Sequence, residues 1–141
     1  EVYTGRPLSG ISASRRGNII QRLVRLVDEE LHPWATLTDP VPGECVNGRQ
    51  RCVASAEYDW LRDGLRIECK SAQLQWNSSE KCWHFQFSNI KFAVQDVRWE
   101  NAFDELVLAM YTPLGIHVYR HDFQFGICKN RTTAWAGDSI S

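Results

Sequence analysis

Asp59, Glu68 and Lys70 are the residues whose types and spacing most directly suggest chemistry. They sit in two short runs, Ala56-Glu57-Tyr58-Asp59-Trp60-Leu61 and Leu65-Arg66-Ile67-Glu68-Cys69-Lys70, separated by a segment ending in Asp63-Gly64. An Asp-Gly pair between such runs signals a tight hairpin, because both central residues of its turn need positive φ. With Asp63 and Gly64 as the loop, Arg62 pairs with Leu65, Leu61 with Arg66, Trp60 with Ile67 and Asp59 with Glu68. Side chains alternate along a strand, so Lys70 shares the face of Glu68 and lies opposite Glu57, while Tyr58, Trp60, Ile67 and Cys69 occupy the other face.

Two like charges directly opposite on a sheet destabilise it by a few tenths to about 1 kcal/mol, so the Asp59–Glu68 pair calls for a compensating charge. A divalent cation would supply it. Two carboxylates, a backbone carbonyl at Cys69 and waters make the oxygen-rich sphere that Mg²⁺ or Mn²⁺ prefers, with positions left for a phosphate. Such an ion neutralises a phosphodiester, lowers the pKa of an attacking water and stabilises the leaving oxygen. Lys70, a compact ammonium, would orient that water or stabilise the transition state. The plainer alternative is a surface ladder of Glu57, Glu68 and Lys70, worth about 0.2–1 kcal/mol. An acid, one spacer and a lysine is a common tripeptide, and it is the opposed Asp59 that adds weight to it.

These residues resemble a known family. Asp59 followed by Ile67-Glu68-Cys69-Lys70-Ser71 at a strand end, after a helix, is similar to the PD-(D/E)xK nuclease superfamily of restriction-endonuclease-like folds. The run from Gly64 to Trp76, followed by Ser88-Asn89-Ile90-Lys91-Phe92, resembles a subgroup in which Glu-x-Lys-Ser leads into a Gln-(Ser)-Trp segment and then an Ile-x-Phe strand. Tyr58 stands where the family motif often has proline. The resemblance implies an α/β fold with a central mixed β-sheet flanked by helices. It also implies Asp59 and Glu68 as metal ligands, Lys70 as the catalytic lysine, and Gln21 on the first helix as an auxiliary ligand. Glu57, Gln73 and Gln75 are further auxiliary candidates, whereas Trp76 is expected to pack, as tryptophans usually do.

The elements that must position these groups follow from periodicity. Ser12 or Ser14 can cap a helix running to about Leu31, in which Ile19, Ile20, Leu23, Val24, Leu26, Val27 and Leu31 recur at helical intervals. Its other face carries Arg15, Arg16, Arg22 and Arg25, then Asp28, Glu29 and Glu30, the reverse of the order the helix dipole favours. The arginines are candidates for holding a phosphate backbone, against the alternative of a solvated face. Residues 32–53, rich in Pro and Gly, read as a long loop whose Arg49 and Arg51 lie just upstream of the site and are further candidates for holding the backbone. Residues 81–87 alternate as an aromatic strand, and residues 103–120 read as strand, turn, strand. One domain is expected over residues 14–128, with 1–13 an extended lead-in and 129–141 a flexible tail.

Composition bounds the function. The 16 Lys+Arg against 17 Asp+Glu give net charge -1, which excludes a globally basic binder and leaves any phosphate-binding surface local. Cys45, Cys52, Cys69, Cys82 and Cys128 follow no zinc or disulfide pattern, so reduced thiols and an intracellular compartment, with the nucleus a candidate, are expected. His117 and His121, four apart on a strand, share a face but not a coordination sphere. No apolar stretch is long enough for a membrane span, and a soluble fragment of a longer protein is expected. The reading is a Mg²⁺- or Mn²⁺-dependent endonuclease that hydrolyses phosphodiester bonds in DNA. The alternative is a nuclease fold acting as a nucleic-acid- or protein-binding module. Either is compatible with a homodimer built on the aromatic strands.

Overall fold

The computed structural model describes residues 2–40, 45–46, 49–50, 58–90, 103–121, 127–128 and 138–140. Its elements are helix α1 (Ala13–Leu31) and strands β1 (Leu37–Thr38), β2 (Cys45–Val46), β3 (Arg49–Gln50), β4 (Trp60–Arg62), β5 (Leu65–Gln73), β6 (Gln75–Asn77), β7 (Cys82–His84), β8 (Phe87–Ile90), β9 (Glu105–Thr112), β10 (Gly115–Arg120), β11 (Ile127–Cys128) and β12 (Asp138–Ile140). Strands β1, β4, β5, β9 and β10 form one sheet in that order, antiparallel throughout except for the parallel pair β5–β9. The fold is therefore α/β with a mixed five-stranded sheet and, among the described residues, one helix rather than several. That helix is not long and apolar enough to cross a membrane.

The hairpin forms as its turn residues require. Asp63 and Gly64 have φ 48° and 82°, and the register is Arg62 with Leu65, Leu61 with Arg66 and Trp60 with Ile67. Asp63 also clasps β1, its carboxylate accepting the Thr36 N–H at 2.9 Å and its own N–H donating to the Thr36 carbonyl at 3.0 Å. The strand, turn, strand expected near the C-terminal end is β9 and β10, closing at Thr112 opposite Gly115. The aromatic stretch expected as one strand is two, because β7 pairs with β6 and β8 with β12 in separate small sheets. Within the expected loop lie β1 and the β2–β3 hairpin.

Apolar side chains cover both faces of the parallel pair, as a near-continuous run such as Leu106-Val107-Leu108-Ala109 requires. On one face Ile67, Cys69, Val107, Ala109 and Tyr111 pack with Ile20 and Val24 of α1 and with Trp60. Leu106 and Leu108 on the other meet Tyr58, Phe87, Ile90 and Phe103. Two stretches expected outside the fold take part in it. Tyr3 is 6% exposed and donates from its hydroxyl to the Leu74 carbonyl at 2.9 Å, and Asp138–Ile140 forms the middle strand between β11 and β8. Residues 129–137 lie outside the described residues.

Helix α1 starts as its cap predicts, with Ser12 accepting the Arg15 N–H at 3.3 Å and supplying one of the acceptors that a first turn lacks. Its buried face is narrower than the apolar pattern suggests. Ile20, Val24 and Asp28 are buried, while Leu23, Leu26, Val27 and Leu31 are exposed. Asp28, expected on the solvated side, accepts from Trp60 Nε1 at 2.8 Å and from the Arg62 guanidinium at 2.5 Å, and Arg62 reaches Glu105 at 2.7 Å. This network ties the end of α1 to β4 and β9. At the other end, a Cβ on Gly17 would meet Ser71 Oγ of β5 at 3.5 Å, an ordinary contact. Gly17→Ala is therefore expected to stabilise the fold by about 1 kcal/mol through helix propensity alone. A urea titration checks this, and a lower midpoint would mean that α1 and β5 have no room for a methyl group.

Candidate active site

The site lies where β4 ends and β5 continues. Beyond the Trp60–Ile67 pair the ladder does not go on to an Asp59–Glu68 pair; the Asp59 N–H donates to the Ile67 carbonyl at 2.8 Å, so two residues face one as in a β-bulge. That corrects the direct cross-strand pairing expected from alternation. It also explains why Tyr58 joins Phe87, Ile90 and Phe103 instead of the Trp60 face. The extra residue reverses the alternation upstream.

The Asp59 side chain takes over where its strand stops. Its Oδ2 accepts the Cys69 N–H at 2.7 Å, providing the edge of β5 with an acceptor that a longer β4 would have supplied as a carbonyl. A strand residue directs its N–H and C=O to the same neighbour, so the Cys69 carbonyl points along this edge as well. Glu68 and Lys70 flank Cys69 and share register positions with Leu106 and Leu108 of β9, on the face opposite α1. Lys70 Nζ lies 3.0 Å from Glu68 Oε1. From the helix side comes Gln21, whose side chain hydrogen-bonds with the Asp59 carboxyl, as does that of Glu68. The strand end thus joins a group from each face of the sheet to the acid in its plane.

Burial pushes the Asp59 carboxyl above its ordinary pKa, outweighing the Cys69 N–H, the Lys70 charge and the hydrogen bonds with Glu68 and Gln21, all of which pull it down. A hydrogen bond between two carboxyl groups needs a proton on one of them. With one proton between them the pair carries a single negative charge, which Lys70 offsets; fully ionised it would carry one more, and a cation could take the proton's place. Burial, with the nearby charges of Asp59 and Glu68, likewise holds the Cys69 thiol far above its usual value.

The remaining candidates divide. Gln73 hydrogen-bonds with Tyr3 rather than joining the carboxylates, and Gln75 is exposed on β6 opposite His84. Arg15 and Arg22 are exposed, Arg16 lies near the Tyr3 hydroxyl, and Arg25 pairs with Asp39 at 2.5 Å. Helical geometry sets Arg25 about 40° around α1 from Gln21 and the other three arginines about 100° or more, so Arg25 is the one on the site's side. Arg49 lies in β3 opposite Val46. Glu57 and Arg51 lie outside the described residues. Trp76, expected to pack inside, is 52% exposed and faces Trp83, a partner that sequence reasoning did not single out.

Comparison with protein-family models, curated proteins and solved structures finds no match. Among the described residues no group of three or more His, Cys, Asp or Glu side chains could hold a metal ion. Any cation at this site would depend on Asp59, Glu68, neutral oxygens and water.

Proposed function

We propose that this chain is a metal-dependent endonuclease of the restriction-endonuclease-like kind, hydrolysing phosphodiester bonds in DNA. The observation that carries the reading is the convergence of Gln21, Asp59, Glu68 and Lys70 at the β4 end, with Asp59 held by the backbone of the strand that bears the other two. Gln21 lies far from them in sequence and belongs to another element, which a mere charge ladder on one hairpin would not involve.

The donor set fits a hard divalent cation. Asp59, Glu68, the Cys69 carbonyl and the Gln21 amide offer only oxygen, and Mg²⁺ is commonly bound by one or two carboxylates completed by waters and phosphate. When bound, Mg²⁺ or Mn²⁺ would supply Lewis acidity toward the phosphoryl group and a more acidic water. The protein's own part is positional and electrostatic. Cys69 N–H fixes one oxygen of Asp59, and Gln21 and Glu68 meet the same carboxyl. Lys70 pairs with one oxygen of Glu68, and its ammonium would orient a water or stabilise charge gathering on a scissile phosphate. Arg25, on the site's side of α1 and paired at the surface with Asp39, would hold the phosphate backbone, with Arg22 beside it.

Lys70→Ala is the direct test. Incubated with plasmid DNA and Mg²⁺ or Mn²⁺, the wild-type chain is expected to cut and the variant to lose on the order of 10²–10³ in rate while melting as a folded protein. Cleavage by the variant at the wild-type rate would sink the mechanism. Absence of both cleavage and calorimetric ion binding in the wild-type chain would favour the binding module.

A further inference from the structure

We infer that the Trp76–Trp83 pair is a stacking platform for unpaired bases, and that the substrate of the proposed nuclease site is DNA with a single-stranded or distorted segment. The inference rests on the nuclease reading for the identity of the polymer. Its own support lies in the β6–β7 hairpin and in how the chain spends its cationic side chains.

The two tryptophans are direct cross-strand partners, with ring centroids 5.6 Å apart and planes at 65°. They are 52% and 50% exposed on a two-stranded sheet hydrogen-bonded to neither of the larger ones. On the opposite face of the hairpin Asn77, Cys82 and His84 are half-buried and Gln75 is exposed, so most of its polar side turns inward while its largest apolar rings turn outward. That is the inverse of what folding favours, because an indole contributes most when buried. The turn is locally secured: Asn77 Oδ1 accepts the N–H groups of Ser79 and Glu80 at 3.0 and 3.2 Å, and Lys81 adopts φ 53°. The rings are thus presented on a structured hairpin.

Charge decides the occupant. A protein that grips duplex DNA through its backbone needs several free cationic side chains, each releasing counterions. Here net charge is -1, and two of the described arginines are committed to the fold. Arg62 is held by Asp28 and Glu105, and Arg66 by Asp104 at 3.0 Å. With as many acids as bases on the chain, phosphate neutralisation by the remaining cations is weak and leaves room for a second source of binding. Stacking is that source, and every base offers a π-face once it leaves the duplex. Continuity keeps the platform within reach of the same strand. Only Leu74 separates β5 from β6, so six residues lead from Lys70 to Trp76, at most about 20 Å of extended chain and roughly six base-pair rises of DNA.

Fluorescence anisotropy of the full chain in EDTA, where cleavage is blocked, tests this with a labelled oligothymidylate, a blunt duplex and the same duplex bearing an unpaired flap. The wild-type chain is expected to bind the first and third more tightly than the second, with its tryptophan emission quenched. Trp76→Ala and Trp83→Ala should each weaken oligothymidylate and flap binding by roughly 5–150-fold and leave duplex binding within a factor of two or so. Trp76→Phe and Trp83→Phe, which keep an aromatic face and guard against misfolding, should retain most of the affinity. Equal affinity of the Ala and wild-type chains for oligothymidylate overturns the inference, as does a uniform loss on all three DNAs. So does a shift from dimer to monomer in sedimentation without loss of binding, which would assign the pair to contact between copies. Unchanged binding in the Trp variants of a chain that still cuts in a Lys70-dependent way removes only the platform. Cleavage that ignores Lys70 removes the nuclease reading while the binding result stands.

Discussion

An Asp59→Asn variant is expected to be more stable than the wild-type chain in the absence of metal and inactive in its presence. Asparagine keeps an oxygen to accept the Cys69 N–H, so the edge of β5 remains satisfied. What it removes is the buried charge. Burial raises the Asp59 pKa in the folded chain, so between the unfolded and folded values the native form holds more protons than the unfolded form. Wild-type stability therefore falls as pH rises through that window, and the full penalty is present above the folded value. The variant has no such proton to lose. Melting curves in EDTA should coincide below the unfolded carboxylate range, near pH 4, and separate as pH rises, with the variant ahead at neutral pH by about 0.5–2 kcal/mol, a few degrees. Mg²⁺ should raise the wild-type midpoint and leave the variant unmoved, and cleavage should drop by on the order of 10² or more. A variant less stable than wild type at pH 7 in EDTA would show that the charge supports the fold rather than a ligand.

Arg62→Ala should cost far more stability than any other single arginine truncation among the described ion pairs. Arg62 is buried between Asp28 and Glu105, at 2.5 and 2.7 Å, and its removal leaves both carboxylates without their cation at the junction of α1, β4 and β9. Breaking such a buried pair costs about 3–5 kcal/mol, enough for a melting temperature roughly 10–20 °C lower. Arg62→Lys should recover only part, because one ammonium cannot fork to two carboxylates. Arg66→Ala is the contrast: its pair with Asp104 is partly exposed and holds that carboxyl below its ordinary value, yet should be worth only about 0.2–1 kcal/mol. Similar losses at the two arginines, measured by urea titration, would contradict the buried network.

What sequence reasoning could reach at the site was local. The Asp63-Gly64 turn and the register from Arg62 to Trp60 were legible because a two-residue loop leaves no freedom in pairing. The pattern could not show that the ladder stops at Trp60, since a bulge leaves no mark in alternation when the residues around it are mixed. Gln21 is legible only through resemblance, because helical periodicity does not distinguish it from its polar neighbours. Asp28 was placed in solvent because an acid at a helical position reads as surface, whereas its burial depends on Arg62, more than thirty positions away. Tyr3 was missed for a related reason: a Gly- and Pro-punctuated segment carries no period, although one aromatic ring is enough to seat it on Leu74 and Tyr111.

The alternation along β5 also governs how this strand meets oxidants and alkylating agents. Thiolate is the reactive form of cysteine. Between Glu68 and Lys70 stands a thiol that faces α1 and is kept protonated by burial and by the acids beside it. Peroxide or iodoacetamide would therefore find the half-exposed Cys82 well before Cys69. Modification of Cys69 requires the helix to lift from the sheet, which makes that thiol a chemical clock for the opening of the layer that holds Gln21 over Asp59.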